Sequence, residues 1–263
     1  MTLARILALS VSLSLLPLVA CGGGNQGTTR TELPPANPEA VREMVAAVRL
    51  MKRGPRFNRR ARNRLRRAIE LDPQLWEAHY NLGVLERSEE NLDAASAAFA
   101  RALEIDPNAP EPLLAAAEVA YTQGDRGAAA DRLQSLVRRE AAPLDARIAL
   151  AVVYRENENW DGALEQAREV LVRDPSNVRA LLEIGRVYRA REQHDVARLV
   201  LDKALLLLDD DATALRAQVL NERGLLELDR GDTQAAFEAF EGAIAIHPTY
   251  KPARMNMGSV LLN

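Results

Sequence analysis

Small and large apolar residues return along this chain in a frame of 34 positions. Each copy of the frame carries an alanine at the same place, at Ala61, Ala95, Ala129, Ala163, Ala197 and Ala236. Large apolar residues recur four positions later, at Phe99, Leu133, Leu201 and Phe240. A period of this length indicates a helical repeat, in which two helices per copy bury their apolar faces against neighbouring copies. The pattern therefore predicts an all-α chain.

Each copy also places a small residue in the middle of its first predicted helix. These residues are Gly83, Ala117, Ala151, Gly185 and Gly224, and Arg49 is the exception in the first copy. Small side chains let two helices approach closely, within about 8–10 Å. The pattern resembles the tetratricopeptide repeat. That resemblance implies a right-handed superhelical solenoid of antiparallel helix pairs, with an atypical first repeat.

On this resemblance the chain contains six repeats and part of a seventh. The repeats span 42–75, 76–109, 110–143, 144–177, 178–211 and 217–250, and the partial seventh spans 251–263. Five residues, Ala212 to Arg216, are inserted before the sixth repeat. We expect the acidic run 209–211 to lie beyond the end of the preceding helix, because acids are unfavourable at a helix C-terminus.

The first twenty residues have the pattern of a secretory signal peptide. Arg5 precedes an apolar run from Ile6 to Val19, which is too short for a membrane span. The run ends in Leu-Val-Ala-Cys, which resembles a bacterial lipobox and implies that Cys21, the only cysteine, is lipidated. The alternative is an ordinary secreted chain that is cut elsewhere.

Residues 21–41 are rich in Gly, Thr, Asn and Pro, and we predict a flexible tether between the lipidated cysteine and a repeat array at 42–263. Gly22, rather than Asp, follows Cys21. By the enteric sorting rule for lipoproteins, this implies attachment to the outer membrane on its periplasmic face.

Composition argues against an enzyme. The chain has 34 basic and 37 acidic residues, a net charge of −3, so nucleic acid is not an expected partner. Its three histidines, His79, His194 and His247, fall in different repeats and have no second ligand at metal-binding spacing. No phosphate-binding glycine loop and no distinct pair of carboxylates occur. We therefore predict no catalytic residues, no metal, no cofactor and no small-molecule substrate.

A repeat array of this kind exposes a concave groove along its first helices. By the resemblance, we expect the groove to bind a protein or peptide segment. The positions it implies are Tyr80, Asn81, Val84, Arg87, Leu114, Glu118, Tyr121, Ile148, Val152, Arg155, Leu182, Arg186, Arg189, Asn221 and Leu225. The lysine and asparagine clamp by which chaperone-binding members hold a C-terminal carboxylate is not reproduced.

Nine basic residues lie between Lys52 and Arg67, with no acid between Glu43 and Glu70. Three interpretations remain open for this run. It is a solvated helix face, it meets an acidic partner, or it approaches anionic lipid headgroups close to the tether.

Two resemblances bear on the machine that this chain serves. The lipobox, the Pro-rich tether and the repeats resemble the tetratricopeptide-repeat lipoproteins of myxobacterial gliding motility, which implies an envelope adaptor. The alternative is the outer-membrane pilotin of type IV pili, which assists secretin assembly. A third interpretation is the repeat portion of a larger envelope enzyme. Apolar Val260, Leu261 and Leu262 in the seventh repeat predict that further repeats follow Asn263.

Overall fold

A computed structural model describes residues 35–139 and 142–261, and over these ranges the chain is helical with no strand. The chain divides into two compact units between Ala142 and Pro143. The N-terminal unit contains helices α1 Pro38–Lys52, α2 Asn58–Leu71, α3 Trp76–Ser88, α4 Leu92–Ile105, α5 Pro110–Thr122 and α6 Arg126–Val137. The C-terminal unit contains α7 Leu144–Glu156, α8 Trp160–Arg173, α9 Val178–Ala190, α10 His194–Leu206, α11 Thr213–Asp229, α12 Thr233–Ile246 and α13 Lys251–Leu261. The predicted all-α fold of paired helices is confirmed.

Within a pair, the small residue of the first helix lies directly against the large apolar residue of the second. A Cβ atom built on Gly83 would lie 2.5 Å from the ring of Phe99, and one on Gly224 would lie 2.5 Å from the ring of Phe240. The same contact joins Gly185 to Leu201 at 2.7 Å. Glycine is therefore required at these positions because the backbone of the first helix touches the partner side chain.

Within a unit, each second helix also packs against the first helix of the next pair. Phe99 of α4 shares one apolar cluster with Val84 of α3 and with Ala115 and Val119 of α5. Such nearest-neighbour burial is the source of stability in a repeat array, because a single pair cannot cover its apolar face by itself. Within each unit, the elements are thus held by contacts between consecutive helices.

In each pair after the first, the turn between the two helices reverses the chain at one residue with a left-handed backbone. That residue is Glu90, Gly124, Glu158, Glu192 or Gly231, with φ between 59° and 86°. A left-handed residue just past a helix end is a common way to terminate it. The three glutamates occupy a conformation that favours glycine.

The first pair departs from the predicted register. Ala47, not Arg49, shares a cluster with Ala61 and Leu65 of α2, and Arg49 is exposed. The assignment of Arg49 to the small position is therefore wrong. The cause is the five-residue connection between α1 and α2, which contains a 3-10 turn at Pro55–Phe57 and is longer than the three-residue connections in later pairs. The first pair does have a small residue in contact with its second helix.

The first helix begins before the predicted start of the array. It starts at Pro38, whereas the tether was predicted to extend to residue 41. The Asn37 side chain accepts a hydrogen bond from the backbone N–H of Glu39, and proline is favoured in the first helical turn. A proline that was assigned to a linker therefore serves as a helix start.

The insertion before the sixth repeat extends a helix. Residues 213–216 form the first turn of α11, so this first helix begins four residues ahead of the predicted repeat boundary at 217. Asp209, Asp210 and Asp211 lie beyond the end of α10 at Leu206, as predicted. Among the described residues, no helix is both long and apolar enough to cross a membrane.

Candidate functional site

The predicted partner-binding residues lie on the first helices of five pairs, and they divide between the two units. We call the sides of α3 and α5 that carry them the N-terminal face, and the sides of α7, α9 and α11 that carry them the C-terminal face. Each face is built by helices that pack side by side within its own unit.

Aromatic side chains dominate the N-terminal face. The Tyr80 ring lies 5.8 Å from the Phe99 ring and 6.5 Å from the Trp76 ring, measured between centroids. Tyr80 is half-buried, and burial raises its pKa to about 12. Its phenol therefore stays neutral and able to donate a hydrogen bond. Next to it, the Asn81 amide donates to the Glu77 backbone carbonyl at 2.7 Å and is held in place.

A single ion pair crosses the N-terminal face. Arg87 of α3 donates a hydrogen bond to the carboxylate of Glu118 on α5. Glu118 is only 4% exposed, and burial raises its pKa to about 7 although Arg87 acts in the opposite direction. One guanidinium therefore does not offset the desolvation of this carboxyl group. Tyr121 is half-buried on the same helix as Glu118.

A continuous charged network runs across the C-terminal face. Arg155 of α7 donates to Glu183 of α9 at 2.9 Å, and Arg186 donates to the same carboxylate. Arg186 also pairs with Glu222 of α11 at 3.1 Å. Arg189 pairs with Asp229 of α11 at 2.9 Å. The network links three consecutive first helices through arginines.

Glu183 is the buried centre of this network, with 2% of its surface exposed. Burial acts to raise its pKa, but the guanidiniums of Arg186 and Arg155 outweigh burial and hold the pKa below the ordinary value. At one side of the network, Arg189 Nε and Glu222 Oε2 are 3.6 Å apart, an ion pair in which neither atom makes a hydrogen bond. The Glu222 carboxylate therefore has one oxygen, Oε2, that can still accept a hydrogen bond.

Seven of the fifteen predicted groove residues are buried. They are Val84, Leu114, Glu118, Ile148, Val152, Leu182 and Asn221, each with at most 9% of its surface exposed. The expectation that these side chains line an open surface is corrected: they fill the contacts between packed helices. Asn221, for example, accepts a hydrogen bond from the Asn256 amide of α13 at 2.9 Å. The accessible part of the set is Tyr80, Asn81, Arg87, Tyr121, Arg155, Arg186, Arg189 and Leu225, all half-buried.

Sequence reasoning missed the carboxylates that pair with the arginines of the C-terminal face. Glu183 and Glu222 were not among the predicted residues. A signal for them existed, because an acid follows each of Arg155 and Arg189 by about one repeat length, after 28 and 33 residues. Residues so spaced fall on neighbouring first helices.

Two other predictions concern residues away from these faces. Cys21, the predicted lipidation site, lies outside the described residues. His79 is buried, and its Nε2 lies 3.2 Å from the Pro73 backbone carbonyl oxygen, so it packs within the fold. Within the described ranges, no group of three or more His, Cys, Asp or Glu side chains is arranged to hold a metal ion.

Comparison with known sequences gives a family match. The sequence profile of the tetratricopeptide repeat matches residues 56–110, 148–214 and 182–251. The human protein O-mannosyl-transferase TMTC1 is 26% identical over 189 residues, which cover 70% of this chain. This chain spans only 20% of the length of that transferase.

Two solved structures have a similar fold. One is PilW, described as a widely conserved type IV pilus biogenesis factor, with a TM-score of 0.67 and 18% identity over 86% of this chain and 100% of PilW. The other is PilF of Pseudomonas aeruginosa, with a TM-score of 0.64 and 18% identity over 84% of this chain and 97% of PilF. At these identities the likeness concerns the fold.

Proposed function

The chain belongs to the tetratricopeptide repeat family, and from this premise we propose that it is a non-catalytic scaffold that binds a protein or peptide segment on its first-helix faces. We further propose that lipidated Cys21 anchors it to the periplasmic face of the outer membrane. In this role it joins a partner to a machine of the bacterial cell envelope.

The proposal rests on the side chains that remain accessible on the two faces, which are mainly tyrosines and arginines. Tyr80, Tyr121, Arg155 and Arg189 are half-buried, each with part of its surface open. Tyrosine and arginine are the residues that most often anchor protein interfaces, because a fixed aromatic or guanidinium plane loses little entropy on binding. Packing and ion pairs already order these side chains, which lowers the cost of association.

The test is partner capture with a fourfold variant, Tyr80→Ala, Tyr121→Ala, Arg155→Ala and Arg189→Ala. We expect at least a tenfold loss of partner recovery, because each interface anchor contributes on the order of 1–2 kcal/mol. The control is Arg101→Ala with Arg138→Ala, two exposed arginines that lie outside the first helices. Equal recovery by the fourfold variant and the control, with both helical by circular dichroism, would refute binding at these faces.

Membrane anchoring is tested separately by Cys21→Ser. We expect the variant to move from the membrane to the soluble periplasmic fraction, because removal of the acyl chains removes stable anchoring. Partitioning into a detergent phase measures the change. A variant that still enters the detergent phase would show that the chain is held by another segment or partner.

Within the cell envelope, we place a role in type IV pilus biogenesis first. The support is the likeness to PilW, which extends over the whole of that structure. The gliding-motility adaptor, proposed from the lipobox, the tether and the repeats, is the second candidate. Deletion of the gene separates the two, since a pilus role predicts loss of surface pili and a gliding role predicts pili that remain. The repeat portion of a larger envelope enzyme stays a third possibility, and its support is the partial match to TMTC1.

A further inference from the structure

The first helix pair carries a charge opposite to that of the chain as a whole. Residues 38–75 contain eleven basic and four acidic side chains, a net charge of +7, whereas the whole chain has a net charge of −3. The rest of the chain therefore carries −10. An anionic surface attracts this pair and repels the remainder, so the charge distribution favours one orientation.

Four of the six arginines of α2 occupy one side of this helix. Arg59, Arg60, Arg66 and Arg67 are exposed, whereas Ala61, Leu65 and Ala68 on the opposite side are buried against the fold. The exposed residues recur at helical spacing, so they form a single basic face about 12 Å long. We call these four arginines the α2 basic face.

Three of the four arginines of the α2 basic face have no acidic partner within the described part of the fold and can bind a ligand. Arg62, by contrast, lies off the face, where it pairs with Glu86 at 2.7 Å and also with Glu89. Arg67 pairs with exposed Glu70 at 3.2 Å. Arg59, Arg60 and Arg66 make no hydrogen bond or ion pair with any residue that the structure describes.

The 3-10 turn before α2 extends the positive surface. Arg53 and Arg56 lie over the Phe57 ring, with guanidinium carbons 4.4 and 4.8 Å from its centroid. Cation–π contacts of this kind fix the direction of a guanidinium without neutralising its charge. The positive surface therefore continues past the N-terminal end of α2.

The chain enters the first pair beside the C-terminal end of the α2 basic face. The Asn37 amide donates to the Leu71 backbone carbonyl at 3.2 Å, and the Asn37 backbone N–H donates to Asp72 at 2.9 Å. Leu71 is about one helical turn beyond Arg67. The 16 residues between Cys21 and Pro38 reach at most about 58 Å when extended. A lipid attached at Cys21 would therefore keep this face near the bilayer.

We propose that the α2 basic face docks on an anionic bilayer and binds the phosphates of its lipid headgroups. Arg59, Arg60 and Arg66 supply the charge that holds the first helix pair on the membrane. The proposal rests on the proposed anchoring at Cys21 for delivery of the face to its membrane. The docking itself is a property of the folded chain without lipid.

The test is cosedimentation of residues 22–263, which keep every described helix, with lipid vesicles at low salt. We expect binding to vesicles that contain phosphatidylglycerol and none to phosphatidylcholine alone. The variant Arg59→Gln, Arg60→Gln and Arg66→Gln should bind about a hundredfold more weakly, because each basic residue near an anionic surface contributes about fivefold. The lysine variant at the same three positions should keep its binding.

The matched control removes the same charge from exposed positions elsewhere, with Arg138→Gln, Lys203→Gln and Arg254→Gln. It should bind like the unchanged chain. Equal binding by the α2 variant and the unchanged chain, or equal loss in the α2 variant and the control, overturns the proposal. Binding to a DNA duplex or to polyglutamate without binding to vesicles also overturns it. None of these outcomes bears on the partner-capture test of the proposed function, because the vesicle assay contains neither the lipid anchor nor the partner.

Discussion

The two first-helix faces bury carboxylates with different numbers of guanidinium partners. Glu118 on the N-terminal face has Arg87 alone, and burial raises its pKa to about 7. Glu183 on the C-terminal face has both Arg186 and Arg155, which outweigh burial and hold its pKa below the ordinary value. The comparison teaches that a second cation decides whether a buried carboxyl group stays ionised near neutral pH.

The difference gives the faces different chemistry. On the N-terminal face, a carboxyl group that is partly neutral near pH 7 lies on the same surface as the aromatic side chains of Tyr80 and Tyr121, and this surface suits apolar or aromatic partner residues. On the C-terminal face, Arg186 and Arg189 belong to a network that stays charged, which suits polar partner residues. Each face would therefore bind its own kind of partner side chain.

The largest expected effect comes from removing an arginine from each face. Arg186→Met leaves Glu183 with Arg155 alone and Glu222 with the more distant Arg189. It should destabilise the C-terminal unit by about 3–5 kcal/mol, the usual cost of removing one partner from a buried ion pair. Arg87→Met should cost only about 1–2 kcal/mol, because Glu118 can take up a proton instead. Native-state hydrogen exchange of amides in α9 and α5 measures the two stabilities separately. Equal losses of stability from Arg186→Met and Arg87→Met would contradict the difference between the two faces.

A smaller effect concerns the pH dependence of stability. The folded pKa of Glu118 is about 7, above the ordinary carboxyl value. Between the two values the unfolded chain loses its proton while the folded chain keeps it, so the stability of the N-terminal unit falls as pH rises. Glu118→Gln removes this dependence. The variant should gain on the order of 2 kcal/mol relative to the unchanged chain between about pH 5 and pH 8.

Glu183→Gln is the matched control for this pH series. The pKa of Glu183 lies below the ordinary value, so this group is ionised in the folded and unfolded chain across the same range. Its loss should destabilise the C-terminal unit by a constant amount from about pH 5 to pH 8. A flat response for Glu118→Gln, or a sloping one for Glu183→Gln, would contradict the assignment of charge states.

The sequence was sufficient to predict the helices and their closest contacts. The 34-residue frame placed Gly83, Gly185 and Gly224 in the first helices, and the structure brings these three glycines against Phe99, Leu201 and Phe240. These contacts depend on the register between the two helices of one repeat, and a strict 34-residue period determines that register. The register failed at Arg49 because the longer connection after α1 shifts that helix relative to its partner.

The accessible part of the candidate site could not be predicted from the frame. Ile148, Val152 and Leu182 occupy the same repeat positions as accessible residues, yet they are almost fully buried. Burial depends on how closely neighbouring first helices approach, and the period contains no information on that distance. The pairing of Glu183 with two arginines likewise depends on three helices meeting in space.

Photo-crosslinking in cells can show whether the partner lies on the first helices. A photoreactive phenylalanine derivative would replace Tyr80, Tyr121 or Arg189, one at a time. As controls, the same derivative would replace Arg101 on the second helix α4 and Leu199 on the second helix α10. Leu199 is an exposed apolar residue, so it reports any non-specific apolar capture. We expect the same covalent partner from the three first-helix positions and little from the controls. Adducts that form mainly at Arg101 or Leu199 would contradict this expectation.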